Sequence, residues 1–140
     1  PYVNAPVGPK LESLMRNEPL DFVGFDYCVG DRRAEQSLLP LAQERKIGVL
    51  AYFTFDRGRI FRRAGATPLP EWAAECDAKN WPQFFLKYVV SHPAVTVART
   101  GTTNPQHMLE NLGGGIGRLP NDAMRTRMAD LVDTWPPNPR

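Results

Sequence analysis

The sequence lacks most features that mark specialised protein classes. Its 140 residues contain only two cysteines, Cys28 and Cys76, which are far apart and fit no CxxC or CxxH spacing. This pattern indicates neither a disulfide framework nor a metal site, so two free thiols are expected. A formal net charge of +2 is too small to indicate a nucleic-acid-binding protein.

Long apolar runs are also missing. No stretch approaches the length of a membrane span, and the N-terminal residues lack the charged-then-apolar pattern of a signal peptide. We therefore expect a cytoplasmic protein with neither nucleic acid nor membrane as a partner. The hydrophobic fraction of 42% and the charged fraction of 23% are typical of a globular protein, and the length fits one domain with its own core.

Hydrophobic periodicity predicts alternating helices and strands. Helical spacing of apolar residues predicts helices at Pro9–Asn17, at residues 31–46, after a cap at Asn80, and after Asn121. Continuous apolar runs predict buried strands at residues 21–27, 47–53 and 95–99. The order of helix, short turn and strand predicts an α/β fold with parallel strands and ligand sites at the carboxyl ends of those strands.

Two segments have the composition of loops. Residues 1–9 hold three prolines, and residues 54–70 are rich in arginine, glycine and proline. The second segment is long for an ordinary connection, which makes it a candidate functional loop. Between this loop and the third strand lies an aromatic stripe at helical spacing, which we interpret as core: Trp81, Phe84, Phe85 and Tyr88.

Residues 101–111 follow the third predicted strand and carry the pattern of a capped helix start. Asn104 can cap the helix, and Pro105 suits its first position. The free N–H groups of a first helical turn offer donors and a positive dipole end to an anion. The pattern is typical both of a phosphate site and of a plain helix cap.

Three strands make a thin sheet. A three-stranded parallel sheet has two open edges, which favour pairing with further strands. We therefore expect association, either with a missing N-terminal part or with a second copy of the chain.

Several segments together resemble the aldo-keto reductases. They are Asp-Phe-Val-Gly-Phe-Asp-Tyr at 21–27, Asp-Arg-Arg-Ala-Glu at 31–35, Leu-Leu-Pro-Leu-Ala at 38–42, Ile-Gly-Val-Leu-Ala-Tyr at 47–52, residues 81–93, and residues 101–111. The resemblance covers nearly the whole chain. It implies that residues 1–140 form the C-terminal half of a TIM barrel, from the helix before strand six onward. The family reduces carbonyl compounds with NADPH, so the resemblance implies an oxidoreductase acting on a small molecule.

The resemblance places part of the NADP site in this chain. Tyr52 matches the aromatic residue that stacks on nicotinamide, although an aromatic at a strand end is also commonly core. The segment that holds the adenosine phosphate and adenine is matched by Gly101, Thr102, His107, Glu110 and Asn111. His107 stands where many members have arginine, and a histidine is a weaker phosphate partner.

The catalytic half of the family has no counterpart here. The aspartate, tyrosine, lysine and histidine that serve proton transfer in the family lie on its first four strands. This chain has residues of the same types, but they align with other family positions: Tyr27, Tyr52, Lys87 and His92. The resemblance thus implies a chain that lacks the catalytic tetrad.

Four departures from the family pattern introduce polar groups or remove contacts at the strand ends. Gly24 replaces a glutamine that contacts the nicotinamide carboxamide, Asp26 stands where asparagine is common, and residues 54–56 replace a proline or small-residue turn. Arg99 and the residue after it stand where isoleucine and proline are usual. An inward Arg99 is expected to form a partly buried ion pair with Asp26 or Asp56, because an isolated buried charge is costly.

These charges allow two interpretations. They can repair barrel positions that solvent now reaches, or they can form a new polar pocket. In the second case Asp26 or Asp56 is the general base and Arg99 holds an anionic group or oxyanion.

Three functions are therefore consistent with the sequence. The chain is the cofactor-binding half of an aldo-keto reductase, or a homodimeric half-barrel with isomerase, lyase or hydrolase chemistry, or a non-catalytic ligand-binding or scaffold protein.

Overall fold

The structure, a computed structural model, describes residues 8–137 of the chain. The loop predicted at residues 1–9 therefore lies almost entirely outside the described residues. The helices and strands are α1 Pro9–Asn17, β1 Phe22–Asp26, α2 Leu38–Arg45, β2 Gly48–Tyr52, α3 Arg59–Ala64, α4 Trp81–Val90, β3 Val95–Ala98, α5 Pro105–Leu112 and α6 Asp122–Asp133. Short 3-10 turns lie at Arg33–Gln36, Asp56–Gly58, Glu71–Cys76 and Gly113–Gly115.

The described strands form one parallel sheet in the order β1-β2-β3. Asp26 lies opposite Tyr52 in register, and the N–H of Arg99 donates to the Ala51 carbonyl at 2.8 Å. The ends of all three strands therefore meet at one edge of the sheet. The predicted α/β fold with parallel strands is confirmed.

The two faces of the sheet differ in burial. Val23, Phe25, Val49 and Ala51 point to one face and are buried in the helix-covered core. On the other face Phe22 is 54% exposed; β3 has an exposed Val97. The glycines that interrupt the apolar runs of β1 and β2 alternate with the buried residues, so they belong to the uncovered face.

Helix α4 fills the centre of the core. Phe84, Phe85 and Tyr88 are buried, and the Trp81 ring stacks on Phe85 with centroids 5.4 Å apart. The Asn80 side chain caps the helix by accepting from the Gln83 N–H at 3.0 Å. The interpretation of the aromatic stripe as core is confirmed.

Two sequence predictions of local structure are wrong. Residues 31–46 do not form one helix, because the chain breaks at Ser37, where φ is −143°, between a 3-10 turn and α2. Ser37 makes no side-chain capping hydrogen bond there. Residues 54–70 are not an irregular loop throughout, because they contain α3, whose Ile60 and Ala64 are buried.

Both cysteines are free and buried. Burial raises the pKa of the Cys28 thiol to about 12, so this thiol is inert at neutral pH. Within residues 8–137, none of the helices is both long enough and apolar enough to span a membrane.

Candidate functional site

Two cavities adjoin at the carboxyl ends of the strands. The first, of about 390 Å³, is lined by Tyr52, Phe53, Thr54, Phe55, Arg57, Gly58, Phe61, Arg99, Thr100 and Gly101. The second, of about 300 Å³, is lined by Phe55, Phe61, Pro82, Gly101, Thr102, His107, Glu110 and Asn111. The two cavities adjoin, because both are lined by Phe55, Phe61 and Gly101, and we call them together the strand-end groove.

Tyr52 forms one wall of the first cavity. Its ring lies across Gly24 of the neighbouring strand, so closely that a Cβ added at Gly24 would be 2.3 Å from Tyr52 Cε2. The Arg99 guanidinium carbon lies 5.2 Å from the centroid of the same ring. The absence of a side chain at position 24 therefore decides where this ring lies.

The described structure gives Arg99 this cation–π contact, where the sequence predicted an ion pair with Asp26 or Asp56. Arg99 is exposed beside the Tyr52 ring, and Asp56 Oδ1 accepts from Arg59 Nη2 at 2.5 Å. Asp26 lies at the end of β1, half-buried and in register with Tyr52. The two candidate general bases, Asp26 and Asp56, thus lie at the strand ends. Asp56 forms an ion pair with Arg59, the first residue of α3.

The turn after β2 has an unusual backbone. Phe53, Asp56 and Arg57 have φ values of 48°, 49° and 55°, in the left-handed region that residues other than glycine rarely adopt. The Arg57 guanidinium carbon packs 3.7 Å above the Phe53 ring, and the Asp56 N–H donates to the Phe53 carbonyl at 2.7 Å. Such backbone strain is concentrated at binding and catalytic sites.

Thr54 carries an unsatisfied hydroxyl in this turn. The residue lines the first cavity and is 1% exposed, and its Oγ1 makes no hydrogen bond to the described residues. A buried polar atom without a partner costs about 1–3 kcal/mol. The hydroxyl has less than 1 Å² of accessible surface of its own, so it lies beneath the cavity wall and is not open to the groove.

The start of α5 forms the far end of the groove. Asn104 Oδ1 accepts from the Gln106 N–H at 2.9 Å, and Pro105 is the first helical residue, so the predicted cap is confirmed. Thr102 Oγ1 accepts from the Asn104 N–H at 3.1 Å. Gly101 is exposed, and a Cβ added there would meet nothing within 4 Å.

The structure brings the predicted cofactor residues together. Tyr52 lies in the first cavity with Arg99, and the second cavity is lined by Gly101, Thr102, His107, Glu110 and Asn111. Sequence reasoning missed Thr54, Phe55 and Phe61 as individual lining residues, although it marked residues 54–70 as a functional segment. The sequence provides no signal for the two phenylalanines, because Phe55 reaches the groove from the turn after β2 and Phe61 from α3, a helix that was not predicted.

Three of the four residues that share the family's catalytic types have structural roles. Tyr27 Oη donates to Glu35 Oε1 at 2.5 Å, and Lys87 Nζ donates to the Ile116 and Arg118 carbonyls at 2.6 and 3.0 Å. His92 Nδ1 accepts from the Ala94 N–H at 3.1 Å. Of these four, Tyr52 is the one that lines the strand-end groove.

A separate cavity of about 520 Å³ lies among the helices and contains Glu35, Tyr88, His92 and Arg125 in its lining. Glu35 Oε1 accepts from Tyr27 Oη, Tyr88 Oη and Arg125 Nη2, the last two at 2.8 Å. Burial, and then the hydrogen bond to Glu35, raise the pKa values of both tyrosines far above their usual range. Because these groups hold one another in place, the network is a fixed support between β1, α4 and α6.

A metal centre has no candidate ligand set in the described part of the chain. Across residues 8–137, histidine, cysteine, aspartate and glutamate side chains do not come together in a group of three that could hold a metal ion.

Comparison with solved structures assigns the fold. The chain superimposes with a TM-score of 0.67 and 18% identity on the apo form of the aldo-keto reductase AKR11C1 from Bacillus halodurans, with 93% of this chain and 49% of that chain covered. The chain has the fold of part of an aldo-keto reductase barrel. The holo form of that enzyme gives the same TM-score of 0.67 over 48% of its length. The thermostable aldo-keto reductase Tm1743, in complex with the inhibitor epalrestat, gives a TM-score of 0.65 at 22% identity over 86% of this chain and 43% of that one.

The chain therefore spans about half the length of the aldo-keto reductases it matches. The open three-stranded sheet matches part of the TIM barrel of those structures. No family model matches the chain, and no curated protein matches it.

Proposed function

We propose that this chain is the dinucleotide-binding half of a carbonyl-reducing enzyme of the aldo-keto reductase type. The strand-end groove carries the proposal: it joins an aromatic wall at Tyr52, through shared residues, to the capped start of α5. A groove at the carboxyl ends of parallel strands is where such barrels place their ligands.

The residues of the groove fit a nicotinamide dinucleotide in three ways. The Tyr52 ring offers a flat surface for nicotinamide. Arg57 and Arg99 line the same cavity and supply positive charge for a pyrophosphate. The unsatisfied Thr54 hydroxyl lies beneath the wall of this cavity and would offer a hydrogen bond to a ligand if the turn shifts on binding. Gly24 is the position that does not fit, because it cannot contact the carboxamide.

A bound reduced nicotinamide supplies a hydride to a carbonyl carbon. The residues of this chain orient the ring against Tyr52, hold the phosphates, and exclude water with Phe55 and Phe61. The proton for the carbonyl oxygen comes from the missing half of the barrel, according to the sequence resemblance. The chain alone is therefore expected to bind a cofactor without turning over a small-molecule substrate.

The uncovered sheet face gives the missing half a surface to cover. On this face Phe22 is 54% exposed although it is large and apolar. Away from the sheet, Leu109 and Leu112 on α5 and Ile116 after it are 64%, 57% and 68% exposed. Exposed apolar residues of this size on one half-barrel are typical of an interface. We propose that N-terminal half-barrel strands cover the sheet face that carries Phe22.

Titration of the purified chain with reduced dinucleotide tests the cofactor proposal. We expect quenching of tryptophan fluorescence that saturates below millimolar cofactor, and a loss of affinity of about tenfold in Tyr52→Ala, which removes the stacking surface. A flat titration at millimolar NADH and NADPH contradicts the proposal.

A homodimeric half-barrel with non-redox chemistry is the second candidate. The exposed Arg99 beside Tyr52 and the half-buried Asp26 opposite that ring favour it, because a base and an anion-binding cation would then share a strand-end pocket. In this candidate Asp26 or Asp56 removes a proton and Arg99 holds the substrate's anionic group. A sharp monomer mass in light scattering, together with unchanged ligand affinity in Asp26→Asn and Arg99→Met, argues against it.

A further inference from the structure

Helix α5 has its apolar side facing away from the protein. None of its eight residues is buried, and the two least exposed, Glu110 and Asn111, are polar and line the strand-end groove. Leu109 and Leu112, which are three residues apart and so lie on one side of the helix, are both exposed. This inverted pattern is typical of a helix whose apolar side contacts another protein surface.

The apolar surface continues beyond the helix, where Ile116 and Leu119 are 68% and 48% exposed. We call the four exposed aliphatic residues of this stretch the α5 ridge: Leu109, Leu112, Ile116 and Leu119. The turn that carries its second half is held in place, because the buried Lys87 donates through Nζ to the Ile116 and Arg118 carbonyls at 2.6 and 3.0 Å. A partner therefore binds a segment that is already ordered, which lowers the entropic cost of association.

A cavity of about 310 Å³ adjoins the ridge. It shares Leu119 with the ridge, and Ala123 and Met124 at the start of α6 add apolar surface to its lining. Glu75 and Arg127 also line it and form an exposed ion pair, with Oε1 and Nη1 3.6 Å apart. A protruding apolar ridge and a partly apolar recess thus lie side by side on one surface of the chain.

From this arrangement we infer that the chain forms a symmetric dimer through α5, in which the ridge of each copy enters the recess of the other. A two-fold axis requires a surface that is complementary to itself, because each contact is made twice. A ridge next to a recess meets that requirement. The inference does not depend on the ligand of the strand-end groove, and the dimer leaves the sheet face around Phe22 free for half-barrel strands.

The charges near the ridge fit a second copy. The ridge itself has no ionisable residue, and the neighbouring Arg118 is paired, since its Nη2 donates to Asp77 Oδ1 at 2.7 Å. Because Glu75 and Arg127 pair with each other, the recess also brings no unpaired charge to the interface. Two copies can therefore approach without burying an isolated charge.

The size of this surface fits a stable dimer as well. A standard interface buries roughly 800 Å² per partner, which is about one tenth of the 8085 Å² surface of this chain. Residues 105–127, most of which are exposed, supply the roughly 20–30 residues that such an interface uses on each side.

Sedimentation velocity of the purified chain over a range of concentrations tests the dimer. We expect a monomer–dimer equilibrium that Leu109→Ser and Ile116→Ser each weaken at least tenfold, because each removes an apolar side chain that only the dimer buries. Ala123→Glu, which places a charge in the recess, should have the same effect. Phe22→Ser is the matched control, since it removes a similarly exposed apolar side chain from the sheet face and should leave association unchanged.

Urea unfolding at a concentration where the wild type is monomeric separates loss of association from loss of the fold. Leu109 and Ile116 are exposed in the single chain, so the free energy of unfolding of both serine variants should match that of the wild type. Weakened association at unchanged stability supports the inference.

Several results overturn the inference. They are a chain that stays monomeric up to millimolar concentration, a dimer that both serine variants leave intact, and a dimer that Phe22→Ser dissociates instead. Growth beyond two copies also overturns it, since a closed two-fold contact stops at the dimer. Binding of a monomeric chain to phosphatidylcholine vesicles that Leu109→Ser abolishes would assign the ridge to a lipid surface in place of a second copy.

Discussion

Tyr52 and Gly24 form a complementary pair across β1 and β2: the ring occupies the space beside the glycine, and a Cβ at position 24 would come within 2.3 Å of it. The pair lies on the uncovered face of the sheet, where the strands reach the groove. A residue change on β1 thus moves a wall of the groove that belongs to β2.

Substitution Gly24→Ala tests this coupling. The added methyl group must displace the Tyr52 ring, so we expect dinucleotide affinity to change several-fold while the fold persists. Gly48→Ala is the matched control, since its Cβ would meet the Phe22 ring at 2.4 Å, and the Phe22–Gly48 pair lies at the other end of the β1–β2 register from the Asp26–Tyr52 pair at the groove. Equal changes in affinity for the two variants, measured by fluorescence titration, would show that the effect is not specific to Tyr52.

Thr54→Val should raise stability and lower affinity. Valine has a similar shape and removes the buried unsatisfied hydroxyl, so the free energy of unfolding should rise by about 1 kcal/mol. If the hydroxyl serves a ligand, dinucleotide binding should weaken in the same variant. Thr126→Val on α6, whose hydroxyl donates to the Asp122 carbonyl at the surface, is the control for urea unfolding and should not gain stability.

Arg125→Met should destabilise the fold by about 2–4 kcal/mol, because it leaves the Glu35 carboxylate beside two buried tyrosines without its cation. Adding Glu35→Gln to that variant should restore part of the loss. The exposed pair of Arg16 with Glu12, one turn apart on α1, is a suitable comparison: Arg16→Met should cost less than about 0.5 kcal/mol in urea unfolding. A loss in Arg125→Met no larger than this would mean that the network contributes little.

We expect the free energy of unfolding to decrease as the pH drops below neutral, because His92 is half-buried in its neutral form. Burial, and then the positive charge of Arg125, lower the pKa of His92, with Glu35 and Asp122 acting in the opposite direction. The unfolded chain takes up this proton first, so the contribution of neutral His92 is present above about pH 6.5 and is lost as pH falls toward the lower folded pKa.

The measurement is urea unfolding between pH 7.5 and 5.5. One proton limits the slope to about 1.4 kcal/mol per pH unit, and His92→Asn, which keeps an acceptor for the Ala94 N–H, should flatten it. The other histidine, His107, is exposed on α5, so His107→Asn should retain the wild-type slope. An unchanged slope in His92→Asn would assign the pH dependence to the carboxylates.

The features that the sequence predicted depend on local chemistry. Asn80, Asn104 and Asn121 each accept from an N–H of the helix that follows, and such caps need only two or three residues. The buried strands were equally readable, because continuous apolar runs are typical of parallel sheets.

The features that it did not predict depend on contacts between distant segments. Helix α3 lies in a segment rich in arginine, glycine and proline, and its Ile60 and Ala64 are buried against the rest of the core, which the sequence does not show. The ion pair predicted for Arg99 followed from the cost of burying an isolated charge. Arg99 is instead exposed, and it contacts the Tyr52 ring on the neighbouring strand β2. Tyr52 reaches Gly24 only through strand register, which composition does not encode.

The network around Glu35 also bears on how this half-barrel assembles. Arg125 reaches Tyr27 across 98 residues of sequence and Glu35 across 90, so the last described helix completes the surroundings of the first strand. Contacts of such high sequence separation slow folding, because a long loop must close before they form. During synthesis on a ribosome, Tyr27 and Glu35 would therefore lack the guanidinium of Arg125 until α6 emerges, and we expect the half-barrel to fold as one cooperative unit.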